Sequence, residues 1–250
     1  MSQQDSVSEF DIAYVGESLT ENTMDVRVLA PALLALGELF TKANTLLNGE
    51  KVTINLKIRA TKAGSFEISL ILMQLYATAG QFLTSEFIAS AANLVGLTIG
   101  IPQVGISLFS LIKKLKGQKP TEIVRTDGVL FKASNIELFV SNKVAAMYKD
   151  KDIKKLSQSV VEPLFRIGID TMIVKDRNKQ LESITKQDAE SFTYRDDVDS
   201  TTTENIMPTL ALRLISPTFD FKKSKWKFDD GSGGRGKWYL VEDDKFLRDV

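Results

Sequence analysis

The sequence predicts an α+β protein in four parts: an N-terminal β-α-β-β unit, an apolar helical hairpin, a mixed α/β middle and a small C-terminal β module. Segments that alternate apolar and polar residues, as half-buried strands do, occur beside segments with the three-to-four-residue spacing of amphipathic helices. Glu86 is the only charged residue among the 45 positions from Ile68 to Ile112. Lysines and aromatic residues alternate near the C-terminus. These three observations give the fold class and its parts.

The N-terminal unit is predicted over about residues 8–73, beginning with a short strand from Ser8 to Val15. A helix follows, because apolar residues recur every three or four positions and so form one stripe. The stripe consists of Val26, Leu29, Leu33, Leu36, Phe40, Ala43 and Leu47. Asn48-Gly49 is predicted to end this helix, since glycine accepts the left-handed conformation found at helix ends. Pro31 leaves two alternatives: the helix begins there, or Pro31 kinks a longer helix.

Two alternating segments after this helix predict an antiparallel hairpin. The first runs over residues 52–60 and the second over residues 66–70, with a turn at Ala63-Gly64 between them. Each strand has one apolar face and one polar face. The preceding helix is expected to cover the apolar face.

The stretch from Phe87 to Ile112 has 26 residues and no charge, whereas a membrane-spanning helix requires roughly 20 apolar residues. Pro102 interrupts the stretch, and proline favours the first turn of a new helix. We therefore predict a hairpin over residues 86–116 with two short helices, Glu86 to Ile99 and Pro102 to Leu115. Each of them is too short to span a bilayer alone.

Two interpretations of this hairpin are open. It is either the second core layer of its own domain, or a re-entrant or oligomer-forming hairpin whose lysines anchor at an anionic cytoplasmic membrane surface. The second interpretation assigns membrane or oligomer contacts to Phe87, Leu94, Gly96, Gly100, Ile106, Phe109, Lys113 and Lys114.

The middle of the chain contains further short elements. Residues 129–131 and 136–140 predict a hairpin, and Ser141 and Asp150 are predicted N-caps of two helices. Residues 172–174 predict a brief strand.

Residues 176–205 carry eight acidic and four basic residues and are predicted to be a polar acidic linker. This linker would separate an α+β domain over residues 1–175 from a β module over residues 206–250. The module is expected to close with a short helix around residues 243–248.

The glycine-rich segment from Gly231 to Lys237 satisfies the phosphate-binding motif G-x-G-x-x-G and all but the last position of a second one, G-x-x-x-x-G-K-[ST]. Both motifs need a strand before the glycines and a helix after them, but Trp238 to Val241 has the composition of a strand. We therefore interpret the glycines as a hairpin tip. Aromatic and basic residues around it form a candidate face for nucleic acid or peptide. That face consists of Lys225, Trp226, Lys227, Arg235 and Trp238.

Composition excludes several classes of site. The chain has no cysteine and no histidine, so disulfides, Cys/His zinc sites, cysteine nucleophiles and histidine bases are impossible. Thirty-two basic residues balance 32 acidic ones, so an anionic partner must be met by a local patch. No catalytic, cofactor-binding or metal-binding constellation and no small-molecule substrate is inferred, and a non-enzymatic protein is expected. Residues 1–11 are polar and acidic, unlike a secretory signal, so a cytoplasmic location is expected, with inner-membrane association if the hairpin inserts.

Several segments together resemble a group of uncharacterised bacterial hypothetical proteins, for which an association with prophages or defence is expected. The similar segments are residues 10–16, 24–27, 64–68, the lysine-rich closure of the apolar run at 113–117, 226–228 and 244–247. The resemblance implies no activity, cofactor or site residue.

Two functional hypotheses follow. In the first, the protein interacts with a membrane or with copies of itself through the apolar hairpin, as a phage-defence effector would. In the second, it is a binding module whose C-terminal aromatic-basic face takes nucleic acid or peptide.

Overall fold

A computed structural model gives the architecture of the chain, which is α+β. The structure describes residues 6–19, 21, 23–50, 52–59, 67–76, 90–100, 105–177, 179–195, 202–204, 213–216, 225–229 and 237–240. The chain divides into two compact units, Met1–Asn205 and Ile206–Val250.

Short runs of strands and of helices follow one another along the first unit. Its described strands are β1 (Ser6–Val15), β2 (Val52–Arg59), β3 (Glu67–Tyr76), β4 (Thr121–Val124), β5 (Val129–Ala133), β6 (Ile136–Val140), β7 (Thr171–Asp176), β8 (Lys179–Thr185) and β9 (Thr202–Glu204). Its described helices are α1 (Val26–Asn48), α2 (Ala91–Val95), α3 (Leu108–Leu115), α4 (Asn142–Lys149), α5 (Lys151–Val161) and α6 (Lys186–Ala189). A π-helical turn, Gly96–Gly100, directly follows α2.

A five-stranded antiparallel sheet in the order β2-β3-β1-β7-β8 forms the centre of this unit. Its inner face is apolar because the alternating residues of neighbouring strands are in register, as Phe10 is with Leu70 and Ile12 is with Val174. The outer face carries polar pairs, including the ion pair of Arg59 with Glu9 at 2.6 Å. The predicted β2–β3 hairpin is present, while its turn lies outside the described residues.

Helix α1 packs on this sheet and on α5. It begins at the N-cap Asp25, and the hydrogen bonds from Arg27 hold the pKa of that carboxyl down at about 2. Pro31 lies inside the helix, so α1 does not begin there. Only part of the predicted stripe is buried: Leu36 and Phe40 are in the core, whereas Val26 is 68% exposed.

The two helices of the apolar hairpin are shorter than predicted. Helix α2 begins at Ala91 because the Ser90 side chain accepts a hydrogen bond from the Asn93 N–H and caps it. Helix α3 begins at Leu108 because Ser107 caps it in the same way. Glu86–Ala89 and 101–104 lie outside the described residues. The local capping serines thus set the helix starts.

A second sheet, in the order β6-β5-β4-β9, lies in the same unit. The predicted β5–β6 hairpin is present, and the predicted N-caps Ser141 and Asp150 begin α4 and α5. Glu122 of β4 is fully buried and makes an ion pair with Lys149 at the end of α4. This pair joins the second sheet to the helices.

The acidic stretch expected to be a linker is largely structured. It contains β8, α6 and β9, and the unit continues to Asn205. The segment forms a strand because every second side chain of β8 faces the core. Glu182 and Ile184 are buried on the inner side of the central sheet, and Leu181, on the other side, is partly buried. The acidic charge of residues 176–205 led to the linker prediction, although this alternation is present in their sequence.

In the second unit, three described strands form an antiparallel sheet: β10 (Arg213–Ser216), β11 (Lys225–Asp229) and β12 (Lys237–Leu240). Trp226 and Phe228 of β11 stack with their ring centroids 6.4 Å apart. The predicted terminal helix and the glycine-rich tip lie outside the described residues.

Candidate ligand-binding site

A cavity of about 450 Å³ lies in the first unit, between the end of α3, the helices α4 and α5, and the turn that follows α6. This volume falls within the roughly 300–1,000 Å³ that is typical of small-ligand sites. The residues in its wall that carry charge, an aromatic ring or an amide include Lys116, Gln118, Tyr148, Lys154, Tyr194 and Arg195.

The end of α3 builds one wall. Lys116 takes the left-handed conformation with φ 51°, and Gly117 follows with φ 67°. The N–H of Gln118 then donates to the carbonyl of Leu115 at 2.9 Å, which closes the C-terminal turn of the helix. Lys116 and Gln118 are therefore held in the cavity wall by the way the helix ends.

Lys154 of α5 is the charged residue set deepest in this wall. It is only 6% exposed, and its ammonium lies 4.1 Å from the ring centroid of Tyr148 on α4. An ammonium loses much of its hydration in such a position, so it requires compensating contacts with other groups. The face of an aromatic ring supplies one such contact. Burying the Lys154 ammonium beside a cavity therefore costs free energy of folding.

The opposite wall follows α6. The side chains of Thr185 and Asp188 form a reciprocal capping box that fixes the start of this helix. The chain continues to Tyr194, whose N–H donates to Gln158 Oε1 on α5 at 2.9 Å. Lys155 lies 5.0 Å from the Tyr194 ring centroid. Hydrogen bonds and a cation–π contact thus tie this wall to α5.

The charges around the cavity favour an anion. Three basic residues line it, Lys116, Lys154 and Arg195, against the acidic Asp188 and Glu190. The Asp188 carboxylate already accepts hydrogen bonds from the Thr185 backbone N–H at 2.9 Å and side-chain hydroxyl at 2.8 Å. The lining carries three positive and two negative side chains, a small positive excess that favours an anionic group.

The structure places the hairpin residues of the first hypothesis mostly in the interior. Leu94, Gly96, Gly100 and Phe109 are buried, and Ile106 is partly buried. In this conformation, therefore, the described part of the hairpin is a core layer. The four buried residues could contact lipid or another copy only if the hairpin left the core.

The two lysines of that hypothesis differ. Lys113 is partly buried and makes an ion pair with Glu182, whereas Lys114 is exposed. Phe87 lies outside the described residues. Among the helices that the structure describes, none combines the length and apolarity needed to cross a membrane. Membrane or oligomer contact through the hairpin stays a prediction.

The residues of the C-terminal face separate onto two sides of the sheet. Lys227 is in register with Trp238, so the two share one side with Lys225. Trp238 is 57% exposed. Trp226 is on the other side and only 2% exposed, so it is not available to stack on a base. Arg235 lies outside the described residues.

The cavity residues were not found by sequence reasoning. Their one local signal is in α5, where Lys154 shares a helical face with Ser157 and Val161, three and seven positions later, and all three are buried. A lysine on a buried face is a reason to look for a site. Tyr194 and Arg195 lie in the stretch interpreted as linker, so no pattern pointed to them.

No protein-family model, curated protein or solved structure matches this chain. The resemblance to bacterial prophage- or defence-associated proteins therefore stays a prediction.

Proposed function

We propose that this chain is a non-enzymatic binding protein that holds an anionic ligand in the cavity between α3, α4, α5 and α6. The observation that carries the proposal is Lys154, a lysine 6% exposed in the wall of a cavity of about 450 Å³. A cation in such a place interacts more strongly with an anion than it would in water, because the surroundings screen the charge less.

The other cavity residues support the same function. Lys116 and Arg195 add positive charge, and the aromatic rings of Tyr148 and Tyr194 add apolar surface with a polar tip. The carboxylates in the described lining that could act as a general base are Asp188 and Glu190. Since Asp188 is held in a helix cap, binding is the better supported role.

Calorimetric titration with pyrophosphate at low salt tests the proposal. The 250-residue chain is expected to bind one pyrophosphate, with affinity that falls as salt rises. Lys154→Met keeps the apolar stem and removes the charge, and should weaken binding at least about tenfold, since a charge-assisted hydrogen bond contributes roughly 1.5–3 kcal/mol.

Lys132→Met is the matched control, because Lys132 lies on β5 in a solvent-exposed pair with Glu137. It should bind as the wild type does. Equal binding by the Lys154 variant, or no binding by the wild type, would rule out the proposal.

A second candidate function rests on Trp238. This side chain is 57% exposed and stands beside Lys227 and Lys225 on one side of the C-terminal sheet, an arrangement that suits stacking on a base while lysines approach phosphates. Fluorescence titration with a single-stranded oligonucleotide tests it. Trp238→Leu should abolish binding, and Lys179→Gln, a change on the exposed residue at the start of β8, should not. Binding that survives the loss of Trp238 would reject this candidate.

A further inference from the structure

Strand β3 of the central sheet is apolar on both of its faces. Its inward-facing side chains include Leu70 and Leu72, which are buried. The alternate positions Ile71, Met73 and Leu75 are apolar too, although they lie on the outer face. A solvated sheet face normally carries polar residues, whereas a nearly continuous apolar run is typical of a strand covered on both faces. The composition of β3 therefore indicates that its outer face has a cover.

The hydrogen bonds between this sheet and the helices that the structure describes are on the inner face. Tyr14 of β1 donates its hydroxyl to the Val160 carbonyl of α5 at 3.0 Å. Ser6 of β1 accepts a hydrogen bond from the Ala91 N–H of α2 at 3.0 Å. Glu182 of β8 accepts hydrogen bonds from α3. All three sheet residues point inward, so these helices do not supply the cover of the outer face.

Four side chains form an apolar patch on the outer face. Val7 of β1 is in register with Met73 of β3, and Ile71 and Leu75 lie two positions to either side of Met73. Val7 is 50% exposed and Leu75 is 38% exposed, while Ile71 and Met73 are partly buried. Side chains that are neighbours along and across strands make one contiguous surface, and its removal from water is favourable.

The charges on the outer face balance. On β1, β2, β3 and β7 the outward positions carry three acidic and three basic residues: Glu9, Asp11, Glu67, Lys57, Arg59 and Lys175. Glu9 makes an ion pair with Arg59, and Glu67 makes one with Lys175. A second copy of this neutral face would meet no net repulsion, whereas a highly charged partner would gain no attraction from it.

The size of the face fits a dimer. Its five strands average about eight residues, so a spacing of about 4.8 Å and a rise of about 3.3 Å per residue give roughly 600 Å² per copy. Two copies together would bury roughly 1,200 Å², which reaches the range of stable protein interfaces. Two antiparallel sheets can pack face to face at a separation of about 10 Å.

We propose that the outer face of the central sheet is the interface of a homodimer, in which it packs on the same face of a second copy. Such an interface is isologous, because both copies contribute the same surface. The patch around Val7 and Met73 then becomes buried. This self-association does not need the apolar hairpin to leave the core, and it does not depend on anion binding by the cavity.

Sedimentation velocity of the 250-residue chain over a dilution series tests the interface. The wild type is expected to be a dimer that dissociates on dilution. Val7→Glu places a carboxylate at a half-exposed position, so the monomer should still fold. The dissociation constant of the dimer should rise at least about a hundredfold, because each copy would bury an unpaired charge. Leu75→Glu should have the same effect.

Leu34→Glu is the matched control, because Leu34 is 69% exposed on α1, which packs on the inner side of the sheet. This variant should dimerise as the wild type does. A wild type that is monomeric at every concentration would overturn the inference, and so would a dimer unaffected by both Val7→Glu and Leu75→Glu. A monomer that cosediments with phosphatidylcholine vesicles, and loses this binding in Val7→Glu, would assign the face to lipid instead.

Discussion

Backbone crowding makes Gly16 irreplaceable by any other residue. A Cβ at this position would lie 2.1 Å from the carbonyl oxygen of Gly168, and the same loop is held by the N–H of Ser18, which donates to that oxygen at 3.0 Å. The Gly168 carbonyl oxygen and the Ser18 N–H are backbone groups, so neither can move without displacing the chain. Gly37, in α1, is different, because a Cβ added there would meet nothing within 4 Å.

Alanine at these two glycines should therefore have opposite effects. Gly16→Ala is expected to lower the melting temperature strongly, whereas Gly37→Ala should raise the free energy of unfolding by about 0.5–1 kcal/mol, because alanine is the better helix former. Thermal unfolding of both variants checks this. A harmless Gly16→Ala would show that the two loops do not meet.

The ion pair between the buried Glu122 and the partly exposed Lys149 should depend on both partners. The carboxylate of Glu122 is fully buried, so Lys149→Met would leave an uncompensated charge and should cost about 1–3 kcal/mol in urea unfolding. Adding Glu122→Leu should recover much of that loss, since a well-packed apolar pair avoids the desolvation of both charges.

The matched control for this pair is Lys42→Met. Lys42 makes a 2.9 Å ion pair with Asp152 at the surface, and such pairs contribute about 0–1 kcal/mol. Equal losses at Lys42 and Lys149 would mean that Glu122 is hydrated.

Helix α3 is tied to the central sheet by Glu182 of β8. The carboxylate accepts hydrogen bonds from Ser110 and Lys113 of α3, and Lys113 also donates to the carbonyl of Ser183 at 2.9 Å. Gly100 at the end of the π-helical turn lies against the same carboxylate, since a Cβ there would be 3.9 Å from Glu182 Oε2. One acidic side chain thus anchors α3 to β8.

Neutralising this anchor should loosen α3. Glu182→Gln leaves Lys113 without its ion pair and is expected to lower the free energy of unfolding by about 1–3 kcal/mol. Amide hydrogen exchange should accelerate in residues 108–115. Glu137→Gln, in an exposed pair with Lys132, should change neither quantity measurably. Unchanged exchange in α3 would reject the anchoring role.

The elements that sequence reasoning found have strong local signals. The β2–β3 alternation and the caps Ser141 and Asp150 depend on neighbouring residues only, so they could be predicted. Strand β8 was missed because its buried positions include Glu182, a charged residue whose burial is compensated by the ion pair with Lys113 and the hydrogen bond from Ser110. Local composition indicated a linker here, and the contact between Glu182 and Lys113, distant in sequence, is what allows a strand instead.

Across the whole molecule, the arrangement of strands depends on pairings distant in sequence. The central sheet is completed by β7 and β8, of which β7 pairs with β1, although about 160 residues separate Ile12 from its partner Val174. Periodicity predicts strands but not their partners. For the same reason the cavity, which needs α3, α5 and the residues after α6 to meet, could not be predicted.

The burial of Leu94 and Phe109 bears on the hypothesis of membrane contact or self-association. Each buried side chain of this kind contributes about 1.5–3 kcal/mol, so releasing the hairpin requires lipid or another copy to replace the core. Lysate fractionation without detergent tests the hypothesis. It predicts recovery with membranes or as an oligomer, and a monodisperse monomer in the supernatant would contradict it.

Amide hydrogen exchange with saturating pyrophosphate distinguishes the cavity from the C-terminal face. If the cavity is the binding site, exchange should slow at residues 116–118 and 193–195, which line it, and stay unchanged at residues 225–229. Lys154→Met should remove this protection. Protection confined to residues 225–240, or none anywhere under saturating ligand, would contradict anion binding by Lys154.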